Sequence, residues 1–504
     1  MSHTRLRSIQ NIMPMEQPFI KRLEIPRAKT IVTGLLLTGS LLTGCRTAIV
    51  PPASPTLSTP KTFSKSQDTT SVADLSWRTF FQDANLVSLI DTALTKNPDI
   101  QQAIQRITVA RANVEYAKGL LAPQVNAVVS AGVDRYGKYT LNGVGNYDTN
   151  FSDRISGPRV IPNPTPDYFL GLRSSWELDI WGKLQNQRKS AQLRLLATEK
   201  SKHLITTALV AEVARLYYEL LANDSELDII QENIQLQERA VELVNVQKDA
   251  GRVTELAVQQ FSAQLLNTRA LEHQVEQDIV RLENQLNLLL GRYPQPIPRG
   301  KQLIQDQRLP SQISAGISSQ MLGRRPDIRQ AELEMEAANI DIAVAQAQFL
   351  PTLTLSPYLG FNAFRASVLF NPASLAAGIL GGLAAPVFNR RLLKSNLLIS
   401  EAQSKAAFYN YQKAVLTGFS EVSTSLKGLD NYRKVANLQN QEVNVLKQSV
   451  SVSNELFRGG YAAYLEVITA QRNVLEAQLA LINTKRNQFT ALIDLYRSLG
   501  GGWN

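Results

Sequence analysis

One cysteine, three histidines and three alternating glutamates are the residues whose types could do chemistry. A lone cysteine cannot build an intramolecular disulfide framework, so the thiol of Cys45 has to be read from its surroundings. Arg5, Arg7, Lys21, Arg22, Arg27 and Lys29 form a basic opening; an apolar run from Ile31 to Leu42 follows, and Leu42-Thr43-Gly44-Cys45 closes it. A basic region, a short apolar region and small residues before a cleavage point make up a secretory signal. The ending resembles a bacterial lipobox, in which small residues suit a lipoprotein signal peptidase and the thiol is expected to take a diacylglyceryl group. Residues 1–44 are therefore expected to be removed, leaving lipidated Cys45 as the first residue. The alternative is a cysteine buried in a short hydrophobic segment. Arg46 stands where an aspartate would signal inner-membrane retention.

The other candidates offer less. His3 falls in the signal, and His203 and His273 lie on helical stretches without a partner at metal-ligand spacing. Glu332, Glu334 and Glu336 alternate, and residues two apart do not share a helix face. There is no phosphate loop, nucleophile elbow or Cys/His metal pattern. The sequence thus predicts no enzyme, metal or cofactor. Removing the signal takes away six basic and two acidic residues, leaving 47 and 41. These charges are scattered without a block, so nucleic-acid binding is not expected.

The elements that carry the remaining residues are set by a long heptad run. Val213, Leu220, Leu227, Ile234 and Val241 recur every seven residues, with Leu209, Leu216, Ile230 and Val244 on the companion seam. Such a repeat supercoils helices around their neighbours. Shifting the first series by 209 gives Val422, Leu429, Ala436, Val443 and Val450, all apolar. The chain therefore contains a coiled-coil unit twice.

In order, residues 45–75 read as a Pro-, Ser- and Thr-rich extended tether. A first repeat spans 76–295, a Pro-rich connection 296–320, a second repeat 321–499 and a glycine-rich tail 500–504. Each repeat opens with helices broken at Pro-Asp-Ile, at Pro98 and Pro326, which lie 228 residues apart. Strict alternation follows. Strands are predicted over about 124–135 and 167–179, with Val125, Val129, Leu170 and Leu172 on an apolar face. In the second repeat they fall at about 351–362 and 374–387, with Leu353 and Leu355 on that face. One apolar and one polar face fit a half-solvated hairpin or a transmembrane hairpin with lipid outside and water inside. The lipid signal and the aromatics Trp176 and Trp181 favour the second. Proline-free helical stretches then run for on the order of 100 Å at ~1.5 Å per residue, turn at Gly251 and at Gly459-Gly460, and return.

Several motifs in this layout carry a family resemblance: Trp176-Glu177-Leu178-Asp179-Ile180-Trp181-Gly182, the paired Pro-Asp-Ile, Glu255-Leu256 after Gly251, Tyr464-Leu465 after Gly460, and the terminal triple glycine with Trp503. Over residues 75–504 the chain resembles the TolC-like outer-membrane efflux proteins, in their lipid-anchored OprM-type branch. The resemblance implies a mainly α fold with a membrane β-barrel. Duplicated helix-strand-strand-helix units would form a homotrimer whose twelve-strand barrel stands on a long coiled-coil α-barrel. It also implies an outer-membrane channel for drugs or other toxic small molecules, working with a periplasmic adaptor and an inner-membrane pump. An exit duct for protein secretion, or a structural coiled-coil lipoprotein, are the alternatives. In the family the helix-to-helix turns narrow the channel with leucine and aspartate. By motif Leu465 takes the apolar gate position, with Arg458, Glu255 and Glu466 as nearby charges. The family's aspartates are replaced by Ala257 and Thr469 here, which predicts a mainly hydrophobic constriction.

Overall fold

The computed structural model describes residues 71–300, 304 and 318–503. Cys45, the signal segment, the tether before Ser71 and most of the Pro-rich connection lie outside the described residues. The first repeat comprises α1 (Ala84–Lys96), α2 (Pro98–Gly119), β1 (Gln124–Asp134), α3 (Leu141–Thr149), β2 (Thr165–Leu178), α4 (Lys183–Asp249) and α5 (Glu255–Leu289). The second comprises α6 (Pro326–Ala347), β3 (Thr352–Ala363), β4 (Leu375–Ala384), α7 (Arg390–Arg458) and α8 (Tyr464–Ser498).

Local chemistry sets the boundaries. Asp83 caps α1 by accepting from the Asn85 and Leu86 amides. Asn97 ends α1 and caps α2, with Pro98 in the first turn, where a missing N–H costs nothing. The Trp-rich motif forms the junction between β2 and α4. Trp176 donates to the Leu121 carbonyl at 3.0 Å and Trp181 to that of Pro351 at 2.6 Å. Asp179 accepts from the Leu184 and Gln185 amides, satisfying the open start of α4, while Gly182 turns the chain at φ 74°.

The four strands form one antiparallel sheet in the order β1-β2-β3-β4. The helices joined to them keep that order: α2 packs on α4, α4 on α6, and α6 on α7. Beyond, α5 packs on α4, α4 on α8, and α8 on α7, so the two long helices run through both layers. Burial follows the heptads. Val213, Leu220, Val422 and Leu429 are buried in the packed clusters, and α1 seals the first cluster with Leu86, Leu89 and Ile90.

The duplication extends to single contacts. Asn97 Nδ2 donates to the Leu289 carbonyl at 2.9 Å, and Arg325 Nη1, at the matching position, donates to that of Ser498 at 2.9 Å. Gly291 (φ 63°) lies against Lys96, and Gly500 (φ 93°) lies against Arg324, again matching positions. Arg325 adds ion pairs to Asp327 at 2.6 Å and Glu421 at 2.7 Å that Asn97 cannot make.

Two boundaries differ from expectation, and two connecting segments carry structure of their own. Residues 71–75 belong to the folded body and not to the tether: Val72 and Ala73 are buried and Tyr496 Oη donates to the Leu75 carbonyl. In the connection, Ile297 and Ile304 are buried, and Arg299 pairs with Asp224 and Glu283. The first strand-to-strand loop holds α3, capped by Thr140 despite Gly143 and Gly145. Strand β4 stops at Ala384, short of 387, because Pro386 has no N–H for a ladder.

A Cβ at Gly291 would stand 2.5 Å from the Lys96 carbonyl oxygen and one at Gly500 2.9 Å from the Arg324 carbonyl carbon. Gly291→Ala and Gly500→Ala should each cost about 1–3 kcal/mol through positive φ and crowding. Gly323→Ala, in open helical surroundings, should instead gain about 0.5–1 kcal/mol. Thermal unfolding followed by circular dichroism separates them, and a Gly500→Ala midpoint equal to that of Gly323→Ala would contradict the assignment.

Candidate channel lining and tip

Residues paired directly across strands share a face of a sheet, so the register sorts every strand residue. Val129 pairs with Leu170, Leu170 with Phe361, and Phe361 with Leu375. Ala127 pairs with Leu172, Leu172 with Leu359, and Leu178 with Leu353. Val125 stands opposite Ser174, and Leu355 opposite Trp176. Val125, Val129, Leu170, Leu172, Leu353 and Leu355 therefore all lie on one face. That face is nearly all apolar and largely uncovered, with Val129 80% exposed. The opposite face carries Gln124, Asn126, Ser130, Asp167, Arg173, Ser175, Glu177, Thr352, Thr354 and Asn362. A wide exposed apolar face asks for an apolar partner. Strands of 10 to 14 residues are long enough to cross a hydrocarbon layer. Among the described residues no helix is long and apolar enough to cross a membrane.

At the far end, the turns at Gly251 (φ 70°) and Gly460 (φ 77°) come together over a small cluster. Val244, Ala257, Val258, Phe261 and Val467 are buried there, with Phe457 and Tyr464 packed against it. Leu465 is 57% exposed in the first turn of α8 and lies outside that cluster. Leu256 is 58% exposed in the first turn of α5. The shift of 209 that relates the halves carries Leu256 onto Leu465, so the duplication already held a signal that motif matching missed.

The charges around these leucines are unequal. Glu255 accepts from Gln259 at 2.9 Å and pairs with Lys248 at 3.2 Å, and these two contacts hold its carboxyl below the usual range. Arg458 and Glu466 are exposed. Arg458 borders a cavity of about 440 Å³ between α4 and α7. Gln237 lines that cavity too, and its buried side-chain amide has no hydrogen-bond partner. Ala257 is fully buried, so an acid at that position would point into the helix packing and not into open space. Thr469 is exposed.

The remaining chemical candidates stay apart. His273 meets Glu276 at 2.8 Å on the surface of α5. His203 packs on Trp503 with ring centroids 4.6 Å apart, and burial, with Lys200 and Lys202 nearby, pushes its pKa down. Glu332 pairs with Arg329, and Glu334 accepts from Gln330. Among the described residues no three acids, histidines or cysteines converge as metal ligands.

Comparison with known proteins agrees with this geometry. The probable outer membrane lipoprotein SilC of Salmonella typhimurium is 28% identical over 468 residues, 92% of this chain and 97% of its own length. The pyoverdine export outer membrane protein OpmQ of Pseudomonas putida is 30% identical over 448 residues, 88% of this chain and 90% of its own. A solved structure of CusC, described in terms of transmembrane channel formation, superposes with a TM-score of 0.76 at 26% identity. That match covers 89% of this chain and all of that one. The family model for the outer membrane efflux protein matches residues 89–292 and 317–501, which take in both repeats. The chain belongs to the outer membrane efflux protein family.

Proposed function

We propose that three copies of this chain close into a passive duct through the outer membrane. The duct is the exit of a tripartite efflux system in which a periplasmic adaptor and an inner-membrane pump supply the coupling. The observation that carries this reading is the agreement of the open edges. β1 and α2 form one side of the chain, and β4 and α7 form the other. Each side leaves apolar residues uncovered: Ile104, Val109 and Tyr116 on α2, and Leu392, Ile399, Tyr409 and Leu416 on α7. Four strands are too few to close a barrel alone. Joining the β4/α7 side of one copy to the β1/α2 side of the next removes every strand edge and covers both apolar sides.

In this assembly the apolar sheet face meets lipid and the polar face lines the lumen. Leu256 and Leu465 stand at the narrow end, with Glu255, Glu466 and Arg458 as the charges around them. The duct performs no catalysis. CusC is named for cation efflux and OpmQ for pyoverdine export, so related exits carry different names and cargo choice belongs to the pump.

Leu353 and Thr354 are neighbours on opposite faces and give a paired test of orientation. Leu353→Arg should cost ~2–4 kcal/mol at mid-membrane and Thr354→Arg much less. Equal trimer yields in outer-membrane fractions would count against the assignment. For the gate, single-channel conductance in a planar bilayer is the measurement that tests the duct itself. Leu465→Gly should raise conductance of the isolated trimer by removing an apolar constriction that dewets. Leu256→Gly should raise it further, while Glu255→Gln should change it little. An assembled trimer whose conductance ignores both leucines would overturn the gate. Finally, intact-mass analysis should find Cys45 as a diacylated first residue; residues retained before it would refute it as the mature start, and an unmodified thiol would refute its lipidation.

A further inference from the structure

On the polar face of the sheet, Phe169 is only 3% exposed although, among the described residues, no second layer of chain covers that face. Glycines explain how it is buried. Gly171 and Gly360 pair across β2 and β3, and a Cβ on either would stand 3.0 Å from Phe169 Cζ. The ring thus lies in a furrow that only glycine leaves open. Tyr358 uses a second gap, since a Cβ at Gly378 would stand 2.5 Å from its ring. None of these three glycines has a positive φ, so space is what they contribute and not backbone freedom.

Arg173 sits on top of this layer. Its guanidinium carbon is 4.4 Å from the Phe169 ring centroid, and the Phe169 and Tyr358 rings meet edge to face at 6.3 Å. The cross-strand neighbours of Arg173 are Asn126 and Tyr358, both neutral. Among the described residues no carboxylate pairs with it. Glu177 is taken by Lys183 at 2.5 Å. Asp167 accepts from Asn362 and lies six residues along the strand, roughly 20 Å away at ~3.3 Å per residue. The ring supports the cation without neutralising it.

We propose that Arg173, propped by Phe169 and Tyr358 over the glycine furrow, is a selectivity station that favours anionic solutes in the barrel lumen. This rests on the proposed lumen-facing assignment of the polar face. An unpaired guanidinium on a low-dielectric wall raises the local concentration of anions and lowers that of cations. Its planar fork suits carboxylate and sulfonate groups. With three copies, three such groups project at one height of the duct.

The test reads local potential and does not need an open gate. Ser175, two residues along the same face, is replaced by cysteine in the full-length lipidated trimer. It is then reacted from the extracellular side with an anionic (ethylsulfonate) or a cationic (ethyltrimethylammonium) methanethiosulfonate, with the parent chain as the thiol background. The anionic-to-cationic rate ratio should fall several-fold in Ser175→Cys with Arg173→Gln, and hold with Arg173→Lys. In Ser175→Cys alone, the ratio should fall towards its free-solution value as ionic strength rises, because screening shortens the reach of the charge. A labelled Ser175→Cys whose ratio ignores both salt and Arg173→Gln overturns the station and leaves the duct standing. A Ser175→Cys trimer that neither reagent labels overturns the lumen-facing assignment and the station with it.

Discussion

Hydrocarbon offers backbone amides and carbonyls no partner, so a sheet within it must have no free edge. The four strands of this chain have two, on β1 and β4. Much of the fold follows from that constraint. The helices attached to the strands keep the strands' order, so the requirement for a neighbour at the sheet becomes a requirement for the same neighbour along the helical wall. The Trp-rich junction is where one lattice becomes the other. Trp176 and Trp181 tie their indoles to carbonyls at the ends of adjoining elements, and Asp179 supplies acceptors at the start of a helix of 67 residues.

The two repeats are close copies where packing demands it and different where it does not. Gly291 and Gly500 both make room for the backbone at the end of a preceding helix. At the matching polar position the halves diverge: Asn97 makes a neutral bond, whereas Arg325 is a buried cation held by two carboxylates and a carbonyl. Burial lowers the Arg325 pKa, but Asp327 and Glu421 more than compensate, and the net shift is upward. Losing one partner of such a group is costly because the other charges remain buried. The first loop, residues 135–164, holds an α-helix, while its counterpart at 364–374 is 19 residues shorter and holds only two single 3-10 turns. That difference accounts for the shift between repeats changing from 228 to 209 along the chain.

Much of this was legible in the sequence because it rests on period. A seven-residue seam and a two-residue alternation are geometric signals, and they placed the long helices and all four strands with errors of at most a few residues. Features that rest on contact were not legible. Helix α3 carries Leu141, Val144 and Tyr147 at helical spacing and a Thr140 cap, but it is short, all its residues lie at the surface, and two glycines in nine residues mask the signal. Leu256 needed the repeat offset applied to a single residue. The burial of Phe169 depends on glycines in two strands that only the register brings together. The tether's end was misplaced because Val72 and Ala73 are too short a run to stand out from Pro-, Ser- and Thr-rich neighbours.

The two unbroken helices α4 and α7 are also levers. Each is about 100 Å long at ~1.5 Å per residue. Near their middle they are clamped by large cores and by the Arg325 ion pairs. At the turns a small cluster of five buried side chains, Phe261 among them, joins the two hairpins, with Phe457 and Tyr464 packed against it. A stiff rod clamped at its middle converts angle into travel. A tilt of ~5° about the clamp moves an end ~50 Å away by roughly 4 Å, close to the width of a leucine side chain. Because the sheet fixes the other end of each rod, such a movement has to come from bending below the clamp, and the small cluster at the turns is the joint that it loads first.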